Sequence, residues 1–449
     1  MTGFSSGKGF SGNQLYIAIA VWLALVIAGG TCLYIGYNID SGSDGSKQAA
    51  VTPTGIIIPT ATLAEESAVV AQATTAPLPT VGSAEEVFGY GIAIHGTGGP
   101  LELMDYWMGQ VDSLGLGWIK QQVRWGFFEG NPGEMDWSGY DAVVNAADKQ
   151  GIKVMMSVVD APVWTRTYFD DNPEKAPPDN LSDYADFLGR LVDRYNGRIH
   201  AIEVWNEQNL DREWDTAEGI SAERYTEMLR LSYQAIKSRD PNIIVISGAL
   251  APTGANMYDS NNPQRRITMD DFEYFDQMIA AGFLNYCDCV GAHHNGYNIP
   301  PDVGENDGFF DPTAQFDSPF TNPHHSWWFK TTLWGYHDRI QAAGSDKPLC
   351  VTEFGWASTE GFEGYPDVYP EGFKFAVDNT QEEQAQWITQ AYRLMREWGF
   401  VRLAFLWNLN FSQLNDGRGA ADSNAPYGII DLNGAPRPAF EAIGAMDKP

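Results

Sequence analysis

The sequence predicts an α/β protein built as a (β/α)8 TIM barrel, preceded by one transmembrane helix and a disordered linker. Two observations place the barrel: eight short apolar stretches recur between residues 86 and 449, and an amphipathic stretch follows each of them. A third places the helix, because residues 15–37 (LYIAIAVWLALVIAGGTCLYIGY) contain no charged side chain.

The elements follow in chain order. Residues 1–14 are a short N-terminal tail. At 1.5 Å per residue, 15–37 is long enough to cross the hydrocarbon layer, and Tyr16, Trp22, Tyr34 and Tyr37 supply interfacial rings. A signal peptide would have a shorter apolar region and a small-residue cleavage site, so the reading is an uncleaved anchor with the bulk of the chain outside the cytoplasm. Residues 38–85 are rich in Ser, Thr, Ala and Pro and cannot bury enough apolar surface to offset chain entropy; they read as a tether. From 86 the predicted strands are Gly89–His95, Trp118–Arg124, Lys153–Val159, His200–Trp205, Ile243–Ser247, Cys289–Ala292, Leu349–Thr352 and Val401–Trp407. Among the helices, Tyr184, Phe187, Leu188, Leu191, Val192 and Tyr195 keep one-face spacing, as do Tyr225, Met228, Leu229, Ala235 and Ile236. Thr380 and Glu383 have the spacing of a capping box. A doubly wound sheet of eight strands is the alternative architecture.

Composition bounds the partners. Twenty-eight basic against 58 acidic residues give a formal charge of −30, which repels phosphate backbones and anionic headgroups. Nucleic acid is therefore not expected, and a neutral or cationic ligand is. Four cysteines (Cys32, Cys287, Cys289, Cys350) are too few for a disulfide scaffold and lack zinc-ligand spacing. Buried thiols are the favoured reading, with a Cys289–Cys350 bridge as the alternative if their strands are neighbours.

In such a barrel, function gathers at the C-terminal ends of the strands. Strand four ends in Glu203-Val204-Trp205-Asn206-Glu207-Gln208, and strand seven in Thr352-Glu353-Phe354-Gly355-Trp356. These strands face each other across the barrel, so Glu207 and Glu353 can flank one ligand. Cleaving a glycosidic bond needs that arrangement, with one carboxylic acid to protonate the leaving oxygen and one carboxylate on the other face of the sugar.

The segments Trp205-Asn206-Glu207 and Thr352-Glu353-Phe354-Gly355-Trp356 resemble the clan A glycoside hydrolases, most nearly family 39, and the resemblance runs from about 86 to 445. It implies Glu207 as general acid/base, Glu353 as nucleophile and Asn206 as the partner of the sugar 2-hydroxyl. Gln208 stands where the family's motif has Pro. The resemblance further implies Arg124 beside the nucleophile, His293 and either Tyr297 or Asn295 on strand six, and Trp407 as the floor of the sugar site. His95, ending strand one, and Asp160, ending strand three, are weaker sugar-binding candidates. Trp164, Trp327, Trp328 and Trp356 are candidate outer platforms. No cofactor or metal is expected.

Two expectations concern electrostatics. Glu207 must carry a proton before attack, so its pKa is expected to be raised by Trp205 and by the charge on Glu353. Glu203 shares the face of Glu207, while Lys120, Gln122 and Arg124 share one face of strand two. Glu203 is thus expected to be buried beneath the site, paired with Lys120 or Gln122. The expected function is a membrane-anchored retaining β-glycosidase acting on an extracytoplasmic oligo- or polysaccharide. The rival is a catalytically silent barrel serving as a glycan-binding or accessory subunit of a membrane complex.

Overall fold

The computed structural model describes residues 88–96, 101–168, 175–362, 374–413 and 423–449. The expected membrane span and tether lie outside the described residues. Among the described residues, no helix is long and apolar enough to cross a membrane.

Eight parallel strands form one sheet: β1 (Gly89–Ile94), β2 (Trp118–Arg124), β3 (Lys153–Val159), β4 (Ala201–Val204), β5 (Ile244–Ser247), β6 (Val290–Gly296), β7 (Leu349–Trp356) and β8 (Val401–Leu406). Each is followed by a helix: α1 (Leu101–Ser113), α2 (Ser138–Gln150), α3 (Leu181–Arg194), α4 (Ala222–Lys237), α5 (Asp271–Ala280), α6 (Phe329–Ala342), α7 (Gln381–Trp398) and α8 (Pro438–Ala445). Sequence neighbours pair from β1 to β5 and from β6 to β8, and β1 pairs with β8. The circle closes between β5 and β6, where Ser247 N–H donates to the Cys289 carbonyl at 3.1 Å and Asp288 N–H to that of Val245 at 2.8 Å. That closure excludes the doubly wound sheet, whose strand order reverses.

The helices bury the faces that their periodicity marks. Tyr184, Phe187, Leu188, Leu191 and Val192 of α3 are buried, and so are Tyr225, Met228, Leu229 and Ile236 of α4. Thr380 and Glu383 form the capping box that opens α7. Close approach explains two glycines: a Cβ on Gly91 would meet the Phe405 ring at 2.5 Å, and one on Gly291 would meet the Ser247 carbonyl oxygen at 2.0 Å, at the closing seam.

The floor of the barrel interior is apolar. Trp118, Met155, Ala201, Ile246, Leu403 and Phe405 pack there with Cys289 and Cys350. Those two cysteines form a disulfide with Cα atoms 5.7 Å apart, so the favoured reading of free buried thiols is corrected at these positions. Because β6 and β7 are neighbours, parity turns both side chains into the lumen, where they meet. Cys287, two residues earlier, stays a buried thiol whose pKa burial pushes up to about 12.

Strand ends depart from expectation where the backbone turns. β4 stops at Val204 because Trp205 takes a left-handed conformation (φ 75°). β6 and β7 run on to Gly296 and Trp356 because they keep pairing with each other past a bulge. Replacing Cys289 and Cys350 together by Ala is expected to lower unfolding free energy by about 2–4 kcal/mol in denaturant titrations. Intact-mass measurement of the untreated protein should show one disulfide.

Candidate active site

Above the apolar floor the lumen becomes polar, and its centre is Lys120. This side chain is 1% exposed, with its ammonium 3.2 Å from Glu203 Oε2 and 2.9 Å from Glu353 Oε1. Burial alone would lower the lysine pKa, but the two carboxylates outweigh it and raise the pKa. Glu203 is wholly buried beneath the site and paired with Lys120, as parity requires. Burial would push its carboxyl up, but Lys120, His293 and a hydrogen bond from Thr352 hold it below the usual carboxylate range. Thr352 Oγ1 donates to Glu203 Oε1 at 2.6 Å.

A bulge aims the Glu353 side chain. Pairing of β6 with β7 passes from Ala292–Val351 directly to His293–Glu353, leaving Thr352 as an extra residue in β7. Thr352 and Glu353 therefore both turn inward, onto Glu203 and Lys120. The alternation then resumes in the opposite phase, so Phe354 and Trp356 point at the helices. Trp356 is fully buried against Phe329 of α6 and Trp387 of α7, and its indole N–H donates to the Ile299 carbonyl. Its expected role as a sugar platform is corrected: it is a core residue.

Glu207 sits on a sharp turn after β4. Trp205 and Glu207 both have left-handed backbone (φ 75° and 47°), a conformation that non-glycine residues hold only when their surroundings impose it. Those surroundings are the loop after β5. Glu207 N–H donates to the Ala249 carbonyl at 2.8 Å, Gln208 Nε2 to Gly248 O at 2.8 Å, and Asn209 Nδ2 to Ala251 O at 2.9 Å. Gln208, the departure from the family's motif, is thus a buried stitch between two loops. Asn206 is buried, and its Oδ1 has no protein partner among the described residues.

His293 joins the carboxylates. Its Nδ1 lies 3.3 Å from Glu207 Oε1, and its Nε2 lies 3.8 Å from Glu353 Oε1 and 3.9 Å from Glu203 Oε1. Burial would lower its pKa, yet Glu353 and the bond to Glu207 raise it. One carboxylate oxygen of Glu207, one of Glu353 and a His293 ring nitrogen all fall within 4.8 Å of one another. Lys120 already places a cation at this cluster. Asp270, His324 and His325 gather in the same way elsewhere, with His324 held by Asp270 at 3.1 Å and His325 by Asp271 at 3.0 Å.

The expected protonation of Glu207 is corrected. Burial would raise its pKa, but Arg212, the His293 bond and Lys175 outweigh burial and lower it to about 2. Arg212 pairs with Glu207 Oε2. Trp205 turns away into the helical layer, where its ring meets Tyr184 and Trp214, so it gives Glu207 no apolar cover.

The remaining candidates divide. Asn295 reaches Glu353 Oε2 at 3.5 Å, whereas the Tyr297 ring packs among Phe316, Trp327 and Phe375. Arg124 pairs with Asp160, itself left-handed (φ 58°), so the cation on Glu353 is Lys120. Trp407 lies at the mouth with its indole N–H donating to Asn424 Oδ1 at 3.1 Å. His95 is held at the rim of β1 by two backbone bonds with the Asn410 side chain. Among the platform candidates, Trp164 is exposed, while Trp327 and Trp328 are buried. Arg212 was missed, because an arginine eight residues past a strand end in an aperiodic loop carries no sequence signal.

With this geometry in place, the barrel can be set beside known proteins. No known protein-family model matches the chain, and no curated protein does. Solved structures do match. A family 39 glycoside hydrolase from Bacteroides cellulosilyticus aligns with TM-score 0.54 at 18% identity, covering 81% of this chain and 64% of that one. CbXyn10B in native form aligns with TM-score 0.50 at 14% identity over 80% of this chain and 97% of that one. A family 39 β-xylosidase from Caulobacter crescentus aligns with TM-score 0.49 at 17% identity over 81% and 71%. The chain thus spans less than two thirds of the length of the first of these. At these identities the likeness is one of fold: the (β/α)8 barrel is shared with structures described as a family 39 glycoside hydrolase and as CbXyn10B.

Lys120→Met is expected to cost about 3–5 kcal/mol of stability, because Glu203 is left charged and unpaired in the lumen. Lys120→Met with Glu203→Gln should recover part of that loss, and denaturant titration of the single and double variants measures the coupling.

Proposed function

We propose that this protein is a retaining β-glycoside hydrolase, anchored in a membrane and acting outside the cytoplasm on an oligo- or polysaccharide. The observation that carries the reading is the pair of buried carboxylates from β4 and β7, with oxygens within 4.8 Å across the barrel mouth. A retaining mechanism holds its two carboxyl groups about 5–5.5 Å apart, whereas an inverting one leaves about 6.5–9.5 Å for a water. The likeness in fold to a protein described as a family 39 glycoside hydrolase supports the same reading.

The roles follow from position. Glu353, charge-compensated by Lys120 and approached by Asn295, attacks the anomeric carbon and forms a glycosyl-enzyme. Glu207 protonates the departing oxygen and then takes a proton from the incoming water. His293 lies between the two and orients Glu207. Asn206, whose Oδ1 lacks a protein partner among the described residues, binds a sugar hydroxyl, and Trp407 offers a ring to sugar C–H groups. No step needs a cofactor.

The site outside the cytoplasm rests on the uncharged 15–37 segment and on the Cys289–Cys350 disulfide, a bond that persists in oxidising compartments.

The test uses purified full-length protein on a panel of aryl β-glycosides. Wild type should hydrolyse at least one member with retention at the anomeric carbon, read by proton NMR of the first-formed sugar. Glu353→Ala should lose at least about a thousandfold in kcat. An inactive wild type, or hydrolysis unchanged in Glu353→Ala, would sink the assignment and favour an accessory module.

A further inference from the structure

Both oxygens of Glu207 are already engaged, and they are engaged from opposite sides. Oε1 faces His293, whose side chain is 1% exposed and lies in the lumen. Oε2 faces Arg212, whose side chain is 20% exposed and lies toward solvent. A leaving-group oxygen must reach one of these two atoms. It cannot come through the lumen, where His293 is walled in by Lys120, Glu203 and Glu353. The approach left is the Arg212 side.

We propose that Arg212 is a positioning residue that holds Glu207 ready to act as a base, and that the aglycone displaces Arg212 when substrate binds so that Glu207 can take up the proton it needs as an acid. This rests on the hydrolase reading above and deepens it, because it makes substrate binding and protonation of the acid one event.

The charges facing Glu207 come from five segments. Arg212 comes from its own loop after β4, and Lys175 from the loop after β3. His293 comes from β6, Glu353 from β7, and Lys120 from β2, which acts through Glu353 and Glu203. Burial alone would make Glu207 a ready acid. Arg212 is the foremost group opposing it. With Arg212 on Oε2, the folded carboxyl stays ionised through the neutral range, which suits the second half of the reaction and blocks the first.

The proton balance closes. Substrate binding moves Arg212, still protonated, into solvent, and Glu207 gains one proton from water. Glu353 forms a bond to the anomeric carbon as the C–O bond to the aglycone breaks, and the Glu207 proton goes to the departing oxygen. The aglycone leaves, and Arg212 moves back toward the carboxylate, lowering its proton affinity while a water enters beside Oε2. Glu207 then accepts a proton from water as the hydroxyl attacks and Glu353 departs as carboxylate. That proton returns to solvent when Arg212 pairs again.

The experiment compares wild type, Arg212→Gln and Arg212→Lys, with circular dichroism to confirm folding. The substrates are two aryl β-glycosides of whichever sugar wild type cleaves, one with a poor leaving group (phenyl) and one with an activated one (2,4-dinitrophenyl). On the phenyl glycoside, the basic limb of the kcat/KM profile reports loss of the acid in free enzyme, and Arg212→Gln should move it up by at least about one pH unit. On the dinitrophenyl glycoside, which needs no acid, kcat reports the base, and Arg212→Gln should move the acidic limb up in step. Arg212→Lys should keep both limbs within about half a unit of wild type. Unmoved limbs in active Arg212→Gln would overturn the proposal alone, while an inactive wild type would overturn the hydrolase reading beneath it. Should Arg212→Gln fail to fold, binding of a thio-linked β-disaccharide of the same sugar to wild type is measured by calorimetry in buffers of different ionisation enthalpy. Uptake near one proton per site supports the proposal, and none overturns it.

Discussion

The polar interior of this barrel depends on one buried ammonium. Lys120 touches both Glu203 and Glu353. Taking three charges out of water is costly, and only close pairing with further hydrogen bonds offsets the loss. Here the offset is shared. Thr352 satisfies one oxygen of Glu203, Asn295 approaches the second oxygen of Glu353, and His293 sits within 3.9 Å of both residues. Lys120 thus supports Glu353 from below, while Glu203 fixes where Lys120 lies. The group beneath the site and the group in it form one ensemble, so a change at Glu203 is felt at Glu353 without any direct contact between them.

That ensemble exists because β7 breaks its own alternation. A regular strand would send Thr352 inward and Glu353 out into the helical layer. The extra residue lets both face the lumen, at the cost of a local gap in pairing with β6 and β8. Below the bulge the lumen is closed by Cys350, Leu403 and Phe405; above it lie the carboxylates. A second irregularity serves the opposite wall. Trp205 and Glu207 take left-handed backbone because the loop after β5 grips Glu207, Gln208 and Asn209. Each carboxylate of the pair is therefore delivered by an irregular backbone held in place by its neighbours.

These irregularities also decide what the sequence could show. The eight strands, the buried faces of α3 and α4 and the cap of α7 were legible because period and capping chemistry are local. Glu203 beneath the site was legible because parity along β2 and β4 is regular. Trp356 was misplaced because β7 runs on past a bulge to include it and turns it toward the helices, and a bulge leaves no compositional mark. Arg124 seemed the natural partner of Glu353 by resemblance, yet Asp160 on the next strand claims it. The pKa of Glu207 was expected in the wrong direction because its controlling neighbour, Arg212, arrives from a loop whose path depends on tertiary contacts. The disulfide needed strand adjacency and matching depth, and sequence supplied only the first as a condition.

The pairing pattern around the mouth bears on what the site can accept. Among the described residues, five cations have acidic partners close by: Arg124 has Asp160, Lys175 has Glu213, Arg265 has Asp215, Arg212 has Glu207, and Lys120 has two. An anionic sugar that drew on one of these cations would leave its carboxylate partner bare in a low-dielectric setting, against the added repulsion of a chain with formal charge −30. Under the proposed mechanism a neutral sugar needs only the opening of Arg212 from Glu207, a pair whose arginine is 20% exposed. The carboxylate bared by that opening is the one group in the site that gains by taking a proton. The pairing that disfavours an acidic sugar is thus the same that, under the proposed mechanism, couples a neutral aglycone to the protonation of Glu207.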